Sequence, residues 1–246
     1  VLPGNTADFI KMENALVQQG ISTDKILNGV GKATAYLAIQ SGNGLDQTAE
    51  WMAKTQDATG ALDSEMMGIA DTMQRVKYLG VELANQTSFW SNAAPALKMM
   101  KLQGAAAVRE IAPLNAMFDQ KAIDPTSAGN ALRKIVKGSF IDEKMAKELQ
   151  TKYKLKLDLV DDKGEFKGVK NLLKELDKLK AYSTGERIDI MESVWKNDAE
   201  VAKTLNALID TDPSNAQIGI MAKHVSDKLK TRYWLSTQER AFAFLA

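Results

Sequence analysis

The sequence predicts an all-α protein, an irregular multi-helix array with one short β-hairpin near residues 155–168. Apolar residues recur at three- and four-residue spacing through most of the chain, as they do on one face of an amphipathic helix. Ser, Thr or Asp precedes many of these segments and Gly often follows them, and these residue types begin and end helices. With 45% apolar and 26% charged residues, the chain has the composition of a protein that buries a core.

Four helices are predicted between Thr6 and Gly80. The first is capped by Thr6 and ends at Gly20, and its apolar face carries Phe9, Met12 and Leu16. The next three begin at Ser22, Asp46 and Asp63, and the last two of them end at Gly60 and Gly80. The apolar face of the second helix is predicted to contain Ile26, Leu27, Val30, Ala33 and Leu37. Helices this short must stack on one another to bury their apolar faces, although the sequence has no strict repeat period.

The middle of the chain continues this pattern until one short interruption. Residues 93–120 are predicted to be helical, with a break or kink at Pro95 and at Pro113. Further helices are predicted from Asp124-Pro125 to Lys137 and from Asp142 to about Lys154. Leu155, Leu157 and Leu159 then alternate with charged residues before a Gly-containing turn, which predicts the hairpin.

The remaining helices are predicted at about 169–180, 185–195, 198–210, 216–230 and 236–246. A Pro- and Asn-containing stretch, residues 210–215, indicates a boundary. We therefore divide the chain into residues 1–210 and a C-terminal helical pair, residues 211–246. The first residues and the apolar last five look like cut ends, so we expect the sequence to be a piece of a longer protein.

Composition excludes several functional classes. The chain has no cysteine, so it has no disulfide, thiolate metal site or cysteine nucleophile. A net charge of +1 argues against a protein whose main task is to hold nucleic-acid backbones. No run approaches the roughly 18 apolar residues that a membrane span requires.

Motifs that resemble catalytic or metal sites have simpler interpretations. Ser22-Thr23-Asp24-Lys25 matches the S-x-x-K pattern of acylating serine enzymes, but it lies where a helix must be capped. Asp161-Asp162-Lys163-Gly164-Glu165 lacks the ligand spacing of a calcium loop and fits a hairpin turn. Asn28-Gly29-Val30-Gly31-Lys32 has neither phosphate-loop nor dinucleotide spacing. Asn85-Gln86-Thr87 is a glycosylation sequon only in a secreted eukaryotic protein.

The single histidine, His224, cannot support a Ser-His or two-His zinc arrangement. Core packing accounts for most of the eleven Met residues and for five aromatic residues: Trp51, Phe89, Trp90, Phe118 and Trp195. Met66-Met67 and Met99-Met100 could instead mark adaptable contact surfaces. We therefore assign no catalytic, cofactor-binding or metal-binding residue and expect a protein that is not an enzyme.

Several stretches of residues 1 to about 210 resemble the tape measure proteins of phage tails. These stretches are Leu2-Pro3-Gly4-Asn5-Thr6 with Asp8-Phe9, Gly20-Ile21-Ser22 running into Ile26–Gly29, Ala70–Arg75, Ser127–Arg133 and Asp162–Gly168. The last is followed by a Leu-rich segment (Leu172, Leu173, Leu176 and Leu179) and by Ser183–Arg187, the most specific part of the likeness. Where the family tends to have Phe-Gly, this chain has Trp195-Lys196.

The resemblance implies a structural component of a phage or prophage virion that sets tail length. Its implied partners are tail tube and baseplate proteins, tail assembly chaperones and other copies of itself, with no small-molecule substrate, cofactor or specific nucleic acid. It would be assembled in the bacterial cytoplasm.

The C-terminal stretch, residues 211–246, instead resembles a helical segment of bacterial alpha-macroglobulins, in Asp212–Ile218 and Arg232–Phe242. The alternatives are therefore a fragment of a periplasmic protease-binding protein of that kind, or an engineered or misassembled chimera of the two families.

Overall fold

The computed structural model describes residues 5–196 and 198–210, and in these ranges the fold is all-α, as predicted. In chain order the helices are α1 (Thr6–Gln18), α2 (Thr23–Lys25), α3 (Gly31–Ser41), α4 (Leu45–Thr59), α5 (Met66–Tyr78), α6 (Leu83–Met99), α7 (Gly104–Gln120), α8 (Pro125–Gly138), α9 (Glu143–Tyr153), α10 (Val169–Asp177), α11 (Thr184–Trp195) and α12 (Ala199–Ile209). A π-helical segment, Ile26–Val30, joins α2 to α3, and short 3-10 turns precede α5 and follow α10. The two helices predicted beyond residue 210 lie outside the described residues.

The helices form two layers around a continuous apolar core. Helices α1, α4, α6 and α8 pack side by side in that order, and α3, α5 and α7 form a second layer against them. Successive helices of the first layer begin at Thr6, Leu45, Leu83 and Pro125, at nearly equal intervals along the chain. The array is thus more regular in space than its sequence indicates.

Most turns between the layers share one hydrogen-bond pattern. The amide of an apolar residue just after the turn donates to a carbonyl five residues back, as from Ile21 to Leu16 at 3.0 Å and from Leu102 to Leu97 at 2.9 Å. This Schellman arrangement needs a left-handed residue before the apolar one, and glycine provides it at Gly20 and Gly80, with φ of 86° and 104°.

Two of these turns between the layers use a residue other than glycine in the left-handed conformation. Lys101 has φ of 54° and Ala122 has φ of 52°. The single helical region predicted for residues 93–120 is wrong, since α6 ends at Met99 and α7 begins at Gly104. The turn could not be recognised in the sequence because its left-handed residue, Lys101, is not a glycine.

Neither proline breaks its helix, because α6 continues through Pro95 and α7 continues through Pro113, while a kink at either proline stays a prediction. A proline inside a helix removes one backbone hydrogen bond. Here the flanking residues Ala96, Leu97, Ala112 and Leu114 are buried, and this packing holds both helices together.

The predicted hairpin forms as a turn closed by a single antiparallel bridge, between Val160 and Phe166, and no strand forms in the described ranges. Two flanking bonds complete the turn: Asp161 N donates to Glu165 O at 2.8 Å and Lys167 N to Leu159 O at 3.0 Å. The preceding extended segment pairs with α10 instead of with a strand, since Asp158 N donates to the buried Glu175 carboxylate at 2.7 Å.

Helices α6 and α8 approach each other closely at Gly129. A Cβ atom at this position would lie 2.7 Å from the carbonyl oxygen of Phe89 and 3.0 Å from the amide of Ala93. Both atoms belong to the α6 backbone, so neither can move aside independently. Phe89 and Trp90, which are almost fully buried, pack beside this contact.

The end of α11 is fixed to α8 by Trp195. Its indole Nε1 donates to the carbonyl oxygen of Ile135 at 3.0 Å, and Gly138 leaves room for the ring. The next residue, Lys196, has φ of 66° and ψ of 168°, a conformation that glycine adopts and that strains other residues. Lys196 thus has the backbone conformation of a glycine, the residue that tends to follow the aromatic residue in the Phe-Gly of the family that the sequence resembles.

Replacing Gly129 by Ala should destabilise the protein, whereas the same change at Gly68 should stabilise it. The new methyl group at position 129 would meet the α6 backbone, and we expect a loss of about 1–3 kcal/mol. Gly68 lies in α5 with open space where a Cβ would be placed, so the higher helix propensity of Ala should add up to about 1 kcal/mol. Urea unfolding followed by circular dichroism measures both; equal effects at the two sites would contradict the close helix contact.

Replacing Lys196 by Gly should stabilise the protein by about 1 kcal/mol, because it relieves the strained backbone. The matched control is Lys147→Gly, at an exposed position inside α9, which should cost about 1 kcal/mol by lowering helix propensity. Denaturant midpoints of the two variants should therefore move in opposite directions. A loss of stability in Lys196→Gly would show that the backbone at this residue is not strained.

Candidate interaction surfaces

The serine–lysine motif lies on the surface as a helix start. Ser22 is the residue before the first turn of α2, and its hydroxyl makes no capping hydrogen bond. Ser22 and Lys25 are both exposed. An exposed pair of this kind lacks the enclosed setting that activates a serine nucleophile.

The acidic stretch at residues 161–165 forms a turn. The Asp161 carboxylate accepts hydrogen bonds from the amides of Lys163 at 2.9 Å and Glu165 at 2.8 Å. The Glu165 carboxylate pairs with Lys101 at 2.5 Å. These carboxylates therefore hold local structure, and the described residues contain no group of three acidic or histidine side chains arranged around a metal site.

The glycine-containing segment 28–32 is part of the helical connection between α2 and α3. Gly29 has φ of 138°, which kinks the connection, and a Cβ at Gly31 would meet the Ile26 side chain at 2.8 Å. This segment therefore forms no open loop that could surround a phosphate. The sequon lies within α6, where Asn85 is half-buried, Gln86 and Thr87 are buried, and Gln86 Nε2 donates to the carbonyl oxygens of Met73 and Val81.

The aromatic residues fill the core, as predicted: Phe89, Trp90, Phe118 and Trp195 are buried and Trp51 is half-buried. Of the two methionine pairs, Met66 is buried, Met99 and Met100 are half-buried against the core, and Met67 is 38% exposed. His224 and the macroglobulin-like residues lie outside the described part of the chain.

An exposed apolar patch at the N-terminal end was not found by sequence reasoning. Leu27, predicted to face the core, is 75% exposed. Ile26 and Val30, one turn apart, face inward, and Leu27 lies about 100° further round the helix. A groove of about 260 Å³ borders it, lined by Phe9, Met12, Glu13, Ile26, Leu27, Gly31, Lys32 and Ala35. Ile10 and Val17, both about half exposed, add apolar surface on α1.

A second groove, the α11–α12 groove, lies at the other end of the described residues and has a volume of about 220 Å³. It is lined by Ile188, Met191, Glu192, Lys196, Asp198, Val201, Ala202, Leu205 and Asn206. Its floor is apolar and its rim is polar.

The surface charges are distributed unevenly. Residues 133–180 contain fourteen Lys or Arg and nine Asp or Glu. Lys167 hydrogen-bonds to Asp158 and holds the pKa of that carboxyl below its ordinary value. Several exposed lysines have no ion-pair partner in the described ranges: Lys144, Lys154, Lys156, Lys163, Lys170 and Lys174. These exposed lysines suit an acidic partner surface.

The shifted pKa values belong to ion pairs and helix caps. The hydrogen bond from Lys134 lowers the pKa of Asp198, and the amides of Val201 and Glu200 at the start of α12 act in the same direction. The ion pairs and caps that cause these pKa shifts fix the positions of helices, unlike the enclosed acid–base pairs of active sites.

No described helix is long and apolar enough to cross a membrane. The described residues thus offer exposed surfaces for contact with other proteins.

Comparison with known proteins places most of the chain within a family. A family model described as "Phage-related minor tail protein" matches residues 2–195. The matched range includes the tape-measure-like stretches, among them Ala70–Arg75 on α5, Ser127–Arg133 on α8 at the Gly129 contact, and the Leu-rich segment that begins in α10. No curated protein and no solved structure matches the chain.

The match ends before α12, yet α12 belongs to the same core. Val201, Leu205 and Leu208 are buried, and α12 packs against α8 and α10. The ion pair between Asp198 and Lys134 joins the start of α12 to α8. The folding unit therefore extends past residue 195.

Replacing Asp198 by Asn should weaken this attachment in a pH-dependent way. Asn still caps α12 but cannot pair with Lys134, so at neutral pH we expect a loss of up to about 1 kcal/mol. Because the pKa of Asp198 is lowered in the folded state, its contribution is present above the ordinary value near 4 and is lost as pH falls through the folded pKa. Wild type and variant should therefore converge in unfolding free energy below about pH 4.

The comparison variant is Asp198→Ala, which removes the cap as well and should cost about 1 kcal/mol more than the Asn variant. Urea unfolding at several pH values measures all three proteins. A difference between wild type and Asp198→Asn that does not change with pH would contradict the ion pair.

Proposed function

We propose that this chain, which belongs to the phage-related minor tail protein family, acts as a tail tape measure protein. In this role it sets the length of a phage or prophage tail and contacts the tail tube and baseplate proteins. Family membership implies a structural role in the tail, contacts with other tail components and a place in the virion. The tape measure assignment rests further on the family-like stretches in α5, α8 and α10.

The observation that carries the proposal is the family match over an array built only of stacked helices in the described ranges. A length ruler needs a polypeptide whose reach grows in proportion to its number of residues. An α-helix provides this, since it extends by about 1.5 Å per residue. Layers whose helices begin at nearly equal intervals also allow the chain to be lengthened or shortened by whole helix pairs.

The partners are recognised through exposed side chains. The exposed apolar side chains Ile10, Val17 and Leu27 supply contact area, and the unpaired lysines of residues 133–180 suit acidic partner surfaces. Tail assembly chaperones are expected to cover the apolar patch before assembly in the bacterial cytoplasm, and self-association can use the same patch. No small-molecule substrate, cofactor or specific nucleic acid enters this role.

Deleting residues 45–82, which contain α4 and α5, should shorten the tails of the phage that encodes the chain. The deletion removes one helix from each layer, so that α1 can pack against α6, the next helix of its layer. In the assembled tail the chain is proposed to run as an extended helix and not as the stacked array, so about 38 residues at 1.5 Å each give an expected shortening of about 57 Å. Electron microscopy of purified virions gives the distribution of tail lengths.

Duplicating the same residues should lengthen the tails by the same amount. The control is Gly68→Ala within the deleted segment, which should leave tail length unchanged. Tails of wild-type length in both the deletion and the duplication would contradict the ruler, while leaving a structural role in the tail in place.

A further inference from the structure

The groove between α1 and α3, which we call the α1–α3 groove, lies at one edge of the helical array. In the first layer α4 and α6 each pack between two other helices, and in the second layer α5 packs between α3 and α7. Helices α1 and α3 come first in their layers, and each has one main neighbour there among the described residues. The edge of the array thus offers a packing position that no described helix fills.

The α1–α3 groove has an apolar floor and room for a side chain. Met12, Ile26 and Ala35 are buried along it, and its volume is about 260 Å³. Apolar cavities of about 150 Å³ hold a benzene molecule, so this groove can accommodate a leucine side chain. Leu27, which lines the groove, is itself 75% exposed. One surface therefore carries both a projecting apolar side chain and a recess for one.

The exposed apolar side chains of α1 extend this surface. Ile10, Glu13 and Val17 are three and four residues apart, so they lie on one face of the helix. Glu13 lines the α1–α3 groove, which places Ile10 and Val17 beside it. Both side chains are about half exposed. Apolar surface of this extent at the edge of the array suits contact with another protein.

The charges at the groove suit a second copy of the same chain. Glu13 on α1 and Lys32 on α3 both line the groove and are exposed, and neither has an ion-pair partner among the described residues. A two-fold axis sets the same surface of two copies against each other, so that each contact occurs twice. Glu13 of either copy can then face Lys32 of the other, which makes the surface complementary to itself.

We propose that two copies of this chain pair through their α1–α3 grooves about a two-fold axis. Leu27 of each copy enters the groove of the other, and Glu13 of each faces Lys32 of the other. Each copy then covers the open edge of the other copy's array. The pairing rests on the self-association that belongs to the proposed function, and it gives that self-association a surface and a symmetry.

Replacing Leu27 by Asp should separate the two copies. In analytical ultracentrifugation at tens of micromolar protein, the wild-type chain should have twice the 27.0 kDa mass of one chain. Leu27→Asp should weaken the dimer at least about thirtyfold, because it removes the apolar side chain at the centre of the contact. The side chain is exposed in the single chain, so circular dichroism should show an unchanged fold. The matched control is Tyr78→Asp, at a 66% exposed side chain outside the groove, which should leave the dimer unchanged.

Charge reversal tests the two-fold axis. Glu13→Lys and Lys32→Glu each bring like charges together at two places, so either variant alone should dimerise at least about tenfold more weakly than the wild type. In a mixture of the two variants every facing pair is again opposite in charge. Mixed dimers should therefore form with nearly the wild-type affinity, which sedimentation of one fluorescently labelled variant with the other measures.

Three results would overturn the proposal. A wild-type chain that stays monomeric at hundreds of micromolar would show that the copies do not pair. A dimer that Leu27→Asp weakens no more than Tyr78→Asp would place the contact elsewhere on the chain. A mixture of the charge-reversal variants that dimerises no better than each alone would exclude the two-fold arrangement. None of these results alters the tail lengths expected for the deletion and the duplication, so the pairing and the length-setting role fail separately.

Discussion

The close contact between α6 and α8 is the constraint on which the array depends. Only a residue without a side chain allows the α8 backbone to lie against the α6 backbone at Phe89, and Gly129 occupies that position. Helix α8 then supports the C-terminal helices, since it packs against α12 and accepts the hydrogen bond from Trp195 through Ile135. The N-terminal layers and the C-terminal helices thus meet mainly at α8, and a family-like stretch of sequence lies where the α6 and α8 backbones meet.

Much of the helical structure could be predicted because its signals are local. Asp124-Pro125 and Asp142 begin helices as expected, and the Asp124 and Asp142 side chains accept the hydrogen bonds of a helix cap. The errors arise where packing overrides local preference. Lys101 adopts a left-handed conformation without being glycine, and Pro113 stays inside α7 because the helix around it is buried. The two layers themselves depend on contacts between helices that are not consecutive in the chain, such as α4 and α6, and no repeated motif in the sequence reveals them.

The structural roles of the motif residues were easier to predict than the exposed surfaces. Ser22, Asp161 and Gly31 could be interpreted as cap, turn and helix residues because the spacing of a catalytic or metal motif was missing around them. The exposure of Leu27 could not be predicted, since it depends on which neighbouring helix covers Ile26. The same reason applies to the α11–α12 groove, whose floor comes from residues on two separate helices.

The layered order of helices has a mechanical consequence. Each helix of a layer packs mainly on neighbours that precede or follow it within the next few helices, so most contacts form between nearby stretches of chain. Proteins with such short-range contacts fold quickly and can do so while they are being synthesised. In an array of this kind each helix is held mainly by its near neighbours, so pulling from one end is expected to detach the terminal helix before the others.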